Sequence, residues 1–96
     1  MRKTLAIAIP AYERTSGIEL NILSNIDFFL ENDIPIYICD DSESDNVLQK
    51  IREIQKKYPN ITYHKNNKRL GHDKNLLNSL KMPSEDNFGV LVIIMW

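Results

Sequence analysis

The sequence predicts an α/β fold, an open and mainly parallel sheet in βαβαβαβ order with helices on both faces. Three observations predict it. Short apolar runs of strand length alternate with segments of helical periodicity, which is the pattern of βαβ units. The second run, Ile36-Tyr37-Ile38-Cys39, ends abruptly in two adjacent carboxylates, Asp40 and Asp41. Open α/β sheets bind their ligands at such strand-to-helix junctions. Finally, 96 residues, 43% of them apolar and 26% charged, suffice for one small globular domain over 1–96 and no more.

The elements follow in order. Residues 5–9 are apolar throughout, as in a strand covered on both faces, and Pro10 is expected to end it. Residues 11–17 form a strand-to-helix loop. Residues 18–32 read as a helix, with Ile18, Ile22, Ile26, Phe29 and Leu30 on one face and Leu23 flanking them. Asn32-Asp33 and Pro35 stop it. Residues 36–39 are the second strand and 40–43 its loop. Ser42-x-x-Asp45 resembles a capping box, with Ser44 as an alternative N-cap. The helix that follows runs to about residue 58, with Val47, Leu48, Ile51, Ile54 and Tyr58 inward. Residues 61–65 alternate apolar and polar, which suits a strand nearer the sheet edge. Residues 66–69 are a polar loop and 71–82 a third helix, with Asp73 in its first turn. A loop over 83–87 leads to a fourth strand over 90–95, and Trp96 follows.

Composition excludes several classes. A net charge of -1 gives no electrostatic footprint for nucleic acid or an anionic membrane. No apolar run approaches spanning length. Arg2 and Lys3 before residues 5–9 only faintly resemble the start of a signal peptide, because the run is short and Pro10 interrupts it. The single cysteine, Cys39, leaves no internal disulfide and no cysteine-built metal site, and points to a reducing, cytoplasmic setting. His64 and His72 are isolated and read as exposed rather than as metal ligands.

Three motifs then resemble one family. Ala6-Ile7-Ala8-Ile9-Pro10-Ala11-Tyr12-Glu13-Arg14 looks like the opening strand of family 2 glycosyltransferases of the GT-A fold. Ile38-Cys39-Asp40-Asp41-Ser42-Glu43-Ser44-Asp45 resembles their V-D-D-x-S-x-D segment. Asn67-Lys68-Arg69-Leu70-Gly71-His72-Asp73-Lys74-Asn75 is similar to their N-x-G…N segment. The resemblance implies a GT-A, Rossmann-like nucleotide-binding half that takes a nucleotide-sugar donor, a UDP-sugar in the first instance. It implies that Pro10 and Tyr12 border the base. Asp41 would accept from the uracil imide N–H, with Asp40 supporting the loop. Arg14 would lie near the nucleotide's entrance, Asn67, Lys68, Arg69 and Gly71 near base and ribose, and Asn75 would brace their loop. The chemistry agrees: a carboxylate only accepts, a tyrosine offers an apolar face, and a guanidinium suits phosphate oxygens.

The chain also departs from that family. No acid follows the fourth apolar run, where the family carries a D-x-D motif for a divalent metal. The expectation is an N-terminal half from a truncated or frameshifted reading frame, inactive alone, with no catalytic residue and no cofactor of its own. Mn or Mg is expected only in a full-length enzyme. An exposed C-terminal strand would favour a homo-oligomer. Other nucleotide folds fail at the first loop, since residues 10–17 contain neither G-x-G-x-x-G nor a P-loop. A receiver-type domain would want its acids after the first strand. The competing reading is a non-catalytic α/β binding or association module. In it Asp40 and Asp41 merely cap a helix, Tyr12 packs on the first helix, and Arg14 and Arg69 are solvated surface charges.

Overall fold

The computed structural model of the chain describes residues 5–83 and 89–95. Arg2, Lys3, Trp96 and the predicted loop beyond Pro83 lie outside the described residues. The strands are β1 (Leu5–Ala11), β2 (Ile36–Asp40), β3 (Ile61–Lys65) and β4 (Gly89–Val92). The helices are α1 (Ser16–Ile22), α2 (Ile26–Glu31), α3 (Asn46–Gln55) and α4 (His72–Lys81). All strand pairs are parallel, in the order β3-β2-β1-β4. The chain steps outward from β1 to β3, then returns through α4 to lay β4 on the far side of β1. The topological switch therefore falls between β1 and β4, and the site belongs at the carboxyl ends of the strands.

Register explains the layers. Ile7 pairs with Ile36, Ile9 with Ile38, and Ile36 with Ile61, so these side chains share one face of the sheet. They pack with Ile18, Ile22 and Phe29 from α1 and α2, with Val47, Ile51 and Ile54 from α3, and with Tyr58. The opposite face carries Ala6 and Ala8, both fully buried, and α4 lies against β1 and β2. Tyr58 is buried, and its hydroxyl donates to the carbonyls of Ile34 and of Phe29, the latter at 3.3 Å.

Five local expectations are corrected. β1 does not stop at Pro10 but runs on to Ala11, with Pro10 paired to Cys39. Only the β4 side of Pro10 needs a donor, and there the ladder yields. Ile93 N–H donates to Ala8 O, Met95 N–H to Pro10 O and Tyr12 N–H to Met95 O, all within 3.0 Å. Pro10 has no N–H to add on that side. β4 accordingly ends at Val92, and only a bridge between Ala11 and Met95 resumes it. The helix over 18–32 is broken by a 3-10 turn at Leu23–Asn25. Asn21 and Asn25 side chains donate to the carbonyls four residues back, at 2.8 and 3.0 Å, which competes with the regular helix. Leu30 consequently points outward, 49% exposed. The capping box does not form: Asp45 is the N-cap of α3 without a side-chain bond, because Ser42 is engaged elsewhere. α3 also stops at Gln55, short of residue 58. β3 lies at the sheet edge and its residues alternate in burial.

Candidate functional site

Three loops converge at the carboxyl ends of β1, β2 and β3, and side chains fasten them to one another. Asp40, the last residue of β2, is fully buried. Its Oδ1 accepts from Ser42 N–H at 2.9 Å and its Oδ2 from the Tyr63 hydroxyl at 2.5 Å. Burial, then the hydrogen bond to Asp40, pushes the Tyr63 hydroxyl far above its ordinary range, so it remains a donor.

Asp41 faces the other way. It is 1% exposed, and its N–H donates to Ala11 O at 2.9 Å. Its Oδ1 accepts from Asn66 Nδ2 at 2.9 Å and from Leu70 N–H at 2.8 Å, and its Oδ2 from Gly71 N–H at 2.9 Å. Three N–H donors thus converge on one carboxylate. Gly71 has φ 91° and ψ 165°, a region essentially reserved for glycine, and that geometry turns its N–H onto Asp41. A Cβ there would meet nothing within 4 Å. The requirement is conformational, not one of space. From the first turn of α4, buried Asn75 donates to Cys39 O at 2.9 Å and accepts from Asn66 Nδ2 at 2.8 Å. The thiol of Cys39 is pushed up to about 11 by burial, then by Asp41 and Asp40, so it stays protonated and unreactive.

The β1–α1 loop is fastened by Glu13. Its φ of 56° is left-handed. Its N–H donates to Ser42 Oγ at 2.6 Å, and its carboxylate accepts from the Ser44 hydroxyl and from the N–H groups of Glu43 and Ser44, at 3.2 and 3.3 Å. The Ser44 hydroxyl foremost holds this carboxyl below its ordinary value. Lys65 Nζ closes the ring by donating to Ser44 O and Asp45 Oδ1, both at 2.8 Å.

Above this floor lies a cationic rim. The Arg69 guanidinium sits 4.3 Å from the centroid of the Tyr12 ring, a cation–π contact between two residues selected from separate motifs. Lys68 and Arg69 are exposed on the loop that Asp41 holds. Arg14 lines an open pocket of about 300 Å³ with Gly17, Leu20, Ile94 and Met95, on the β4 side of the switch. Pro10 is buried inside β1. The structure thus brings Tyr12 to Arg69 and joins Asp41, Gly71 and Asn75 in one network; Arg14 lies apart at the pocket.

Sequence reasoning did not single out Glu13, Tyr63 or Asn66, and it read Ser42 and Ser44 only as helix caps. Glu13 sat inside a quoted motif, and strand alternation put Tyr63 on the face of Ile61. Pairing across 20 to 30 positions leaves no spacing signal. Among the described residues no group of three or more His, Cys, Asp or Glu could hold a metal ion. Asp40 and Asp41 turn both of their oxygens to the protein's own donors.

Residues 6–95 match a family model described as Glycosyl transferase family 2. No curated protein matches the sequence. Among solved structures, the chain is similar to the mannosyltransferase PcManGT from Pyrobaculum calidifontis, in complex with GDP-Man and Mn2+. The identity is 17% and the TM-score 0.66, over 88% of this chain and 25% of that one. The chain thus corresponds to about a quarter of that protein's length, and the likeness is one of fold. Among the described residues no helix is long and apolar enough to cross a membrane.

Proposed function

This chain belongs to glycosyl transferase family 2, and on that premise we propose that it is the nucleotide-binding part of a glycosyltransferase that takes a UDP-sugar donor. One observation carries the reading. The Asp41–Asn66–Asn75 network holds the loop over 66–71, which exposes Lys68 and brings Arg69 onto Tyr12 at the carboxyl ends of the strands. Tyr12 offers a ring face to the base, and Pro10 of β1 lies two residues before it. Arg69, Lys68 and, from the β1–α1 loop, Arg14 supply positive charge for ribose and diphosphate oxygens. Asp40 fixes the loop after β2, and Gly71 and Asn75 fix the loop after β3.

UDP is the nucleotide proposed because of Asp41. A carboxylate has about four acceptor positions, and Asp41 uses three. Oδ2 keeps one for an imide N–H. By itself this chain turns over no sugar in this reading, because Asp40 serves its loop and Asp41 serves loop and base rather than chemistry.

Isothermal titration with UDP and with GDP, each with and without manganese, tests the proposal. GDP is included because the solved mannosyltransferase binds GDP-Man. UDP binding that manganese does not alter is the expected result. Preference for GDP would reassign the base, and binding of neither nucleotide would sink the reading.

The second reading is an association module, and β4 favours it. Among the described residues β4 pairs only with β1, and Leu91 and Ile94 are 50% and 51% exposed. A second copy would cover this strand. Sedimentation over a range of concentrations decides: a dimer supports it, and a monomer at every concentration removes it.

A further inference from the structure

Asn66 begins the loop over 66–71, and each of its polar groups is used inward. Its N–H donates to Asp40 O at 2.9 Å. Its amide NH₂ donates to Asp41 Oδ1 at 2.9 Å and to Asn75 Oδ1 at 2.8 Å, so both protons are spent. Its Oδ1 faces the Cys39 thiol at 3.6 Å. One side chain therefore connects β2, the acid after it, and α4. Only an amide can do this: the two side-chain acceptors require two donors on one planar group, and the thiol requires an acceptor on the same group.

We infer that Asn66 is the positioning residue of the nucleotide loop: it sets the course of residues 66–71 by joining Asp41 to Asn75, and so places Lys68 and Arg69 for a nucleoside diphosphate. This rests on the reading of the site as a nucleotide site, and adds to it a residue that touches no ligand itself. Asn67, Lys68 and Arg69 are exposed; the loop's shape comes from its two ends, where Asn66 and Gly71 both bond to Asp41.

The test is Asn66→Asp, which keeps the shape and removes both donors. Its carboxylate would face Asp41 from the loop after β2 and the Asn75 carbonyl from α4. The other titratable groups nearby are the Cys39 thiol and Asp40 of β2, the latter turned to Tyr63, and Lys65, whose Nζ is held by Ser44 and Asp45. Two adjacent carboxylates raise one another's proton affinity, and a proton shared between them restores one donor.

UDP affinity is measured for wild type, Asn66→Asp and Asn66→Ala at several pH values. The ratio to wild type at each pH removes the titration of UDP itself. At about pH 8, Asn66→Asp is expected to bind about tenfold or more weakly, and the deficit narrows toward about pH 5. Asn66→Ala stays weak throughout. Far-UV circular dichroism checks the fold; should Asn66→Ala unfold, Asn66→Asp alone carries the test. Affinity within about twofold of wild type at every pH, or a deficit that does not change with pH, overturns the inference. A wild type that binds no UDP removes the nucleotide reading and this inference together; the first titration separates the two failures.

Discussion

Replacing Asp41 by Asn asks how much the loop over 66–71 depends on one carboxylate. The substitution preserves shape but exchanges one acceptor oxygen for an NH₂ donor. The best orientation keeps the oxygen on Asn66 Nδ2 and Leu70 N–H and turns the NH₂ toward Gly71 N–H. Two charge-assisted bonds become neutral, each losing about 1 kcal/mol, and one half-buried N–H loses its partner at a further 1–3 kcal/mol, roughly. The sum is about 3–5 kcal/mol, out of the 5–15 kcal/mol that stabilises a typical domain, roughly speaking. Solvent screening does not reduce it, since Asp41 is 1% exposed. Urea unfolding followed by far-UV circular dichroism reads the effect. With a slope of about 1–3 kcal/mol/M the midpoint should fall by roughly 1 M or more. Amide hydrogen exchange supplies the local readout: Leu70 and Gly71 N–H should lose protection before the β1 and β2 amides do. A midpoint unchanged within about 0.3 M, with both amides still protected, would refute the role given to the carboxylate.

Gly71→Ala places a side chain in open space but at φ 91°, so the backbone alone is perturbed. The expected loss is about 1–3 kcal/mol, read from the same urea midpoint, and an unshifted midpoint contradicts it. Tyr63→Phe removes one of the two donors to buried Asp40 and should cost about 1–3 kcal/mol; a variant as stable as wild type would show that Tyr63 does not support this acid. Glu13 gives the pH dependence. Its folded-state pKa lies below the ordinary 4.5, so its contribution is complete above that value and is lost as pH falls through the folded value. Urea midpoints should therefore drop on acidification more steeply for wild type than for Glu13→Gln, and parallel curves would remove Glu13 from the account.

The strands were legible because burial on both faces demands apolar runs, and residues 36–39 and 61–65 lie where those runs predict. The double acid was legible as the junction where loops meet because it terminates such a run. Pro10 misled, since a rule about lost donors takes no account of which neighbouring strand would have received the bond. Asn21 and Asn25 misled in the opposite sense: apolar spacing placed Ile18, Ile22 and Phe29 inward, yet two side-chain amides bond back along the chain where the helix is interrupted, and Leu30 turns out. At the site, Asp41, Gly71 and Asn75 could be read from motifs. Their partner Asn66 could not, because its bonds reach positions 41 and 75 through folding rather than through local spacing.

Asp41 grips Leu70 and Gly71 by their backbone N–H groups, which every residue except proline possesses. The frame of the loop is therefore indifferent to the side chains carried at positions 67–69. Those positions can be rewritten, acid for base or large for small, while the path beneath them persists. On the proposed nucleotide reading, a scaffold of this kind separates where a recognition loop runs from what it recognises, so donor preference can drift by exchange of one or two exposed residues without a new fold having to be found.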